Sequence, residues 1–137
     1  MSESINRPEN MTDQELAIEI ARVLDSKKAR DLIVLNVQHL TVICDYMVIA
    51  TGRNPNLVKA MADDTDDRMA QLGLELRRME GQNEAKWIVL DYGRIMVHIF
   101  APQERSYYHL ERLWDDGTNR VELPFEVDQT PDDPFGF

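Results

Sequence analysis

The chain has 137 residues, with 25 acidic against 15 basic side chains, a net charge of −10, 43% hydrophobic and 29% charged residues. That balance fits one globular domain burying about two-thirds of its unfolded surface, and it excludes a chain disordered throughout. The acidic excess weighs against direct RNA or DNA binding, which depends on Lys and Arg displacing counterions, and favours a basic protein partner.

No apolar run approaches the roughly 18 residues of a membrane-spanning helix. Residues 1–4 show neither a basic region nor an apolar stretch, so a cytoplasmic, unprocessed protein is expected. Cys44 is the only cysteine, which excludes an internal disulfide and a cysteine-cluster metal site and suits a reducing compartment.

Residues 1–11 form a polar lead. Thr12 and Glu15 then make an S/T-x-x-E capping box, and Leu16, Ile20, Val23 and Leu24 follow at helical spacing, predicting a helix near 12–29. Residues 31–37 and 45–51 are short β-rich apolar runs with a polar turn at Gln38 and His39. Asn54 and Pro55 supply an N-cap and a first-turn proline for a second helix. Its stripe is Leu57, Met61, Thr65, Met69 and Leu72, ending near Gly73.

A short strand is expected over 74–79. Stronger strands over 87–91 and 95–100 should form a hairpin around Tyr92 and Gly93. Pro102 opens a final helix through Tyr107, Leu110, Leu113 and Trp114. The order α-β-β-α-β-β-β-α predicts a single α/β domain over 12–114, a mixed β-sheet flanked by helices. Residues 115–137 hold 7 acids, 1 base, three prolines and two glycines, and read as an acidic tail that cannot stay ordered alone. Val121, Leu123, Phe125 and Val127 alternate with other residues, so an edge strand or docking segment is the alternative there.

The three histidines, His39, His98 and His109, form no ligand pattern. His98 lies mid-strand between Met96 and Phe100, the position of a hydrogen-bonded core histidine. His109 and Glu111 are two apart on a helix and face different directions. Cys44 has no histidine at an informative spacing and reads as a small buried residue. Asp63, Asp64, Asp66 and Asp67 read as a solvated helix face, and the isolated Gly52 and Gly93 make no phosphate loop. Basic residues are dispersed, with Lys27, Lys28 and Arg30 the densest group. Asp45-Tyr46, Thr51-Gly52, Leu90 to Gly93 and Leu110 to Trp114 remain. These charged and aromatic groups at strand ends and on the last helix fit an interface or, equally, turn chemistry with core aromatics.

The strings LNV (35–37), DYMVIATG (45–52), WIVLDYG (87–93), VHIF (97–100) and LERLW (110–114) resemble the ribosomal silencing factor family, also called Iojap-like proteins. The resemblance covers about residues 12–114. It departs from the family at Asn36 and Gln38, where aspartate and arginine are usual, and at Arg53 and Asn54, where a small residue and serine are usual. It implies a nucleotidyltransferase-like topology without catalysis, because the chain lacks a Gly-Ser followed by an Asp-x-Asp signature with which to hold two metals and a nucleotide.

The implied function is translation repression: binding the large ribosomal subunit through its fourteenth protein, at the face that meets the small subunit, and so blocking subunit association. Neither cofactor nor metal is implied, little nucleic acid contact and no membrane contact are expected, and a homodimer is a further implication. Carried over by position, the binding residues are Trp87, Leu90, Asp91, Tyr92 and Gly93. Asp45, Tyr46, His98, Glu111 and Trp114 come second. The rival readings are an acidic adaptor acting through the tail and a residual nucleotidyltransferase-like enzyme using Asp45, Asp91 and His98.

Overall fold

The computed structural model describes residues 11–127. The polar lead over 1–10 and the tail beyond 127 lie outside the described residues.

Helix α1 (Asp13–Ser26) begins at the expected capping box. The Glu15 N–H donates to Thr12 Oγ1 at 3.1 Å, and the Thr12 N–H donates to Glu15 Oε1 at 2.8 Å. It stops short of residue 29 because Lys28 turns left-handed at φ 66°. Strand β1 (Arg30–Asn36) pairs antiparallel with β2 (Tyr46–Thr51), Leu35 opposite Met47. Helix α2 (Pro55–Gln71) is capped by Asn54, whose Oδ1 accepts from the Leu57 N–H at 2.9 Å. Gly73 at φ 78° closes the helix one residue past its cap, and the Leu74 N–H reaches back to the Met69 carbonyl. That backbone is occupied in ending α2. Strand β3 (Arg78–Glu80) is therefore three residues long and starts four residues later than the sequence pattern predicts.

Strands β4 (Trp87–Asp91) and β5 (Ile95–Phe100) form the expected hairpin, with Trp87 opposite Phe100 and Gly93 at φ 87° in the turn. The expected single last helix is two: α3 (Pro102–Tyr108) and α4 (Glu111–Trp114), separated by left-handed His109 at φ 48°. The break has a cause in Arg105. In one continuous helix, residues six apart project about 240° from each other and cannot meet. With the chain broken, Glu111 folds back so that both of its oxygens accept from Arg105 Nε at 3.1 and 3.2 Å. Arg105 Nη1 donates in turn to Thr51 Oγ1 at 2.8 Å, tying both short helices to the end of β2. The guanidinium is buried and charged, so the partners that satisfy it decide the local backbone.

The sheet order is β1-β2-β5-β4-β3, with β2 and β5 parallel and every other neighbour antiparallel. Helices α1 and α2 cover one face. Leu16, Ile20, Leu24, Val58, Met61 and Met69 pack there against Val34, Val48, Leu90, Val97 and Ile99. The opposite face carries Ile33, Leu35, Met47, Ile49 and Phe100, partly covered by Leu110 and Trp114. Residues 115–127 lie against the β1 edge. The Asn36 N–H donates to the Asn119 carbonyl at 2.9 Å and the Val121 N–H to the Val34 carbonyl at 2.8 Å. The Asn119 side chain donates to the Asn36 and Trp114 carbonyls. Val121, Leu123, Phe125 and Val127 then pack on the helix-side core, the docking arrangement that their alternation allowed. Among the described residues, no helix is long and apolar enough to cross a membrane.

Candidate functional site

The second sheet face presents a cluster of rings. Trp87 stacks on Phe100 at 4.9 Å between centroids and meets Tyr108 at 4.7 Å, while Tyr107 stands edge-on to Tyr108 at 5.0 Å. Trp87 is half-buried and its neighbours Tyr107 and Tyr108 are exposed, so the cluster is anchored in the sheet and open to solvent. A Cβ on Gly81, held at φ 92°, would collide with the Trp87 carbonyl, so glycine at 81 lets the neighbouring turn close over the start of β4.

The Trp87 indole N–H donates to His98 Nδ1 at 3.1 Å. An indole can only donate, so Nδ1 is the unprotonated nitrogen of a neutral ring and Nε2 carries the proton. His98 is buried, and burial pulls its pKa down from 6.5 to about 4. Nε2 itself has no partner among the described residues.

The other candidate residues divide between the faces. Asp91 shares the Trp87 side of β4, and its carboxylate accepts from the Gly93 N–H at 2.8 Å, shaping the hairpin turn. Leu90 points the other way and is fully buried under the helices. Tyr92 is buried there too, and its hydroxyl donates to Asp66 Oδ1 on α2 at 3.0 Å. Burial and the adjacent Asp66 carboxylate raise the Tyr92 pKa well above its ordinary value. Tyr46 also faces the helices, its hydroxyl 3.2 Å from Gln14 Oε1. The Asp45 N–H donates to the Arg94 carbonyl, joining the start of β2 to the hairpin turn. Glu111 is held by Arg105, and Trp114 packs on the open-face core. Trp87, Asp91 and His98 thus share one face, while Leu90, Tyr92 and Tyr46 support the sheet from behind. Among the described residues, no three His, Cys, Asp or Glu side chains come together to hold a metal.

Arg105 and Tyr108 belong to this region and carried no signal in the sequence, because each gains its role from a partner far along the chain. Cys44 is buried beside the open face. Burial, then the charges of Asp45 and Asp91, push its thiol up to about 11. The thiolate fraction at pH 8 is then on the order of 10⁻³, so alkylation by iodoacetamide should run at least about a hundredfold slower than for free cysteine. Urea should restore the ordinary rate. Fast native alkylation at Cys44, read by mass spectrometry, would contradict the burial.

The chain is thus a single mixed α/β domain with α1 and α2 on one sheet face and, on the other, a half-exposed aromatic cluster beside Leu110 and Trp114. The chain belongs to the RsfS family, ribosomal silencing factor during starvation, whose family model matches residues 10–134. The match runs past Trp114 and takes in the docked segment, which lies beyond the motifs that carry the resemblance. A relative named ribosomal silencing factor RsfS from Halalkalibacterium halodurans is 36% identical over 113 residues, covering 82% of this chain and 96% of that protein. Another of that name from Bacillus subtilis is 36% identical over 109 residues, 80% of this chain and 92% of that protein. The chloroplastic protein Iojap of Zea mays is 31% identical over 81% of this chain and 48% of its own length. A crystal structure of a Chromobacterium violaceum protein superposes with a TM-score of 0.75 at 29% identity, covering 85% of this chain and 96% of that one. One from Bacillus halodurans gives 0.70 at 35% identity, over 81% and 100%.

Proposed function

We propose that this protein is a non-catalytic translation repressor that binds a large-subunit ribosomal protein at the intersubunit face and so blocks association of the two subunits. The observation that carries this reading is family membership over nearly the whole described chain, with relatives named as ribosomal silencing factors. The fourteenth large-subunit protein, basic and placed at that face in the family's reading, is the proposed contact. The cytoplasm is the proposed compartment. Charge supports the choice: a domain of net −10 is attracted to a basic protein and repelled by exposed rRNA, which favours a protein contact over an RNA one.

The proposed contact residues are those on the open face and its turn, Trp87, Asp91 and Gly93, with His98 and Trp114 beside them. Leu90, Tyr92, Tyr46, Asp45 and Glu111 hold these in place. Purified protein should co-sediment with isolated large subunits through sucrose, and added small subunits should then fail to form whole ribosomes. No co-sedimentation, with joining intact, would overturn the proposal.

A further inference from the structure

Beside the ring cluster, the open face contains a cavity of about 270 Å³. That is just below the roughly 300–1,000 Å³ of small-molecule sites, a size for one or two side chains. Met47, Met96, Leu110 and Trp114 line it, with the buried Cys44 thiol. Two of the lining rings carry an N–H, the indole of Trp114 and the imidazole of His98, the latter at Nε2. His98 Nε2 is shielded from water and has no acceptor among the described residues. A buried donor left unmade costs free energy that an acceptor arriving with an occupant would recover. Ile43 and Leu113 stand at the rim, 68% and 72% exposed, so the apolar lining continues onto the surface around the opening.

We propose that this cavity receives an apolar side chain of a basic protein partner, and that the lining shifts as it seats so that a main-chain carbonyl of the partner accepts the His98 Nε2 proton. The inference rests on the large-subunit reading above and names the anchor within it. The partner's sign follows from the surroundings. Asp45 and Asp91 both act on the Cys44 thiol inside the cavity, whereas Asp115 and Asp116, which follow Trp114, are already engaged by Arg120 at 2.8 Å and His39 at 2.7 Å. Arg112 is the nearby cation on α4, and it is engaged with His109 Nδ1 at 3.0 Å. A second copy of this chain would bring another charge of −10 to a domain that already carries −10, so a basic partner is the better complement.

The test compares wild type, Leu113→Glu and His98→Phe in titrations against isolated large subunits by co-sedimentation, with light scattering for oligomeric state. Leu113 is exposed, so its variant keeps the fold, and a new carboxylate facing a basic partner would by charge alone favour binding. The expected result is wild-type co-sedimentation with binding weakened at least about tenfold by Leu113→Glu and about fivefold by His98→Phe. Should His98→Phe fail to fold, Leu113→Glu decides alone. Wild-type affinity in both variants would overturn the proposal while leaving the large-subunit reading intact. A wild-type dimer made monomeric by Leu113→Glu, with subunit binding unchanged, would assign the cavity to a second copy and overturn it too. Failure of wild type itself to co-sediment would remove the large-subunit reading and this anchor with it.

Discussion

Replacing Trp87 with alanine is expected to weaken binding to isolated large subunits by more than about thirtyfold. Trp87 is half-buried, stacked on Phe100 with the Tyr108 ring tilted against it, and fixed by its indole hydrogen bond to His98, so little freedom is lost when a partner covers its outer edge. Pre-ordered interfacial tryptophans commonly cost more than about 2 kcal/mol when truncated, and that energy corresponds to the thirtyfold change. The alanine variant also unstacks Phe100 and Tyr108 and frees His98 Nδ1, so Trp87→Phe separates the contributions. Phenylalanine keeps the stack and loses the N–H, and it should retain most of the affinity. Co-sedimentation titrations read the binding, and circular dichroism at the same temperature reads the fold. A folded alanine variant that binds like wild type would remove Trp87 from the interface.

Acidification from pH 6.5 to 4 is expected to cost the native state about 3 kcal/mol through His98 alone. Burial holds its pKa near 4 in the fold, against 6.5 for an ordinary histidine. The folded protein therefore disfavours the imidazolium that the unfolded chain accepts freely. The stability held in the neutral ring is complete above pH 6.5, falls as the pH drops through the window, and is lost by pH 4. The same protonation would place a second proton on Nδ1, opposite the Trp87 N–H, turning a hydrogen bond into a clash of donors. Urea denaturation of wild type and His98→Phe across this range isolates the effect, since the surface carboxylates are common to both. The wild-type curve should fall more steeply by about that amount. Parallel curves, or an NMR titration in which the His98 ring changes near 6.5, would show that His98 is solvated in the native state.

Much of the fold was legible because its signals are local. The Thr12–Glu15 box, the Asn54-Pro55 start and the alternation across β4 and β5 each act within a turn or a strand pair, and the structure begins both helices and places both strands where the residues say. The shortened β3 and the divided last helix were not legible, because Leu74 spends its N–H on the preceding helix and Glu111 turns toward an arginine that also reaches Thr51. The period of the apolar residues in 102–114 is compatible with one helix. The buried cation decides for two.

The candidate site divides in the same way. The string from Trp87 to Gly93 marked the region, but the pleat sends Leu90 and Tyr92 to the helix side and leaves Trp87 and Asp91 on the open face. For residues 115–127, composition argued for a loose tail, while docking depends on unpaired β1 backbone groups that the chain cannot reveal until the sheet has an edge.

The sequence by itself determined the class, the order of the main elements and the acidic character, because these rest on local spacing and composition, and its motif strings carried the resemblance to the family. Only the tertiary structure decided which face of the hairpin is open, which histidine nitrogen holds the proton, how Arg105 splits the last helix and where a cavity with an unmet donor lies. Each of those depends on groups many residues apart being brought within hydrogen-bond or packing distance.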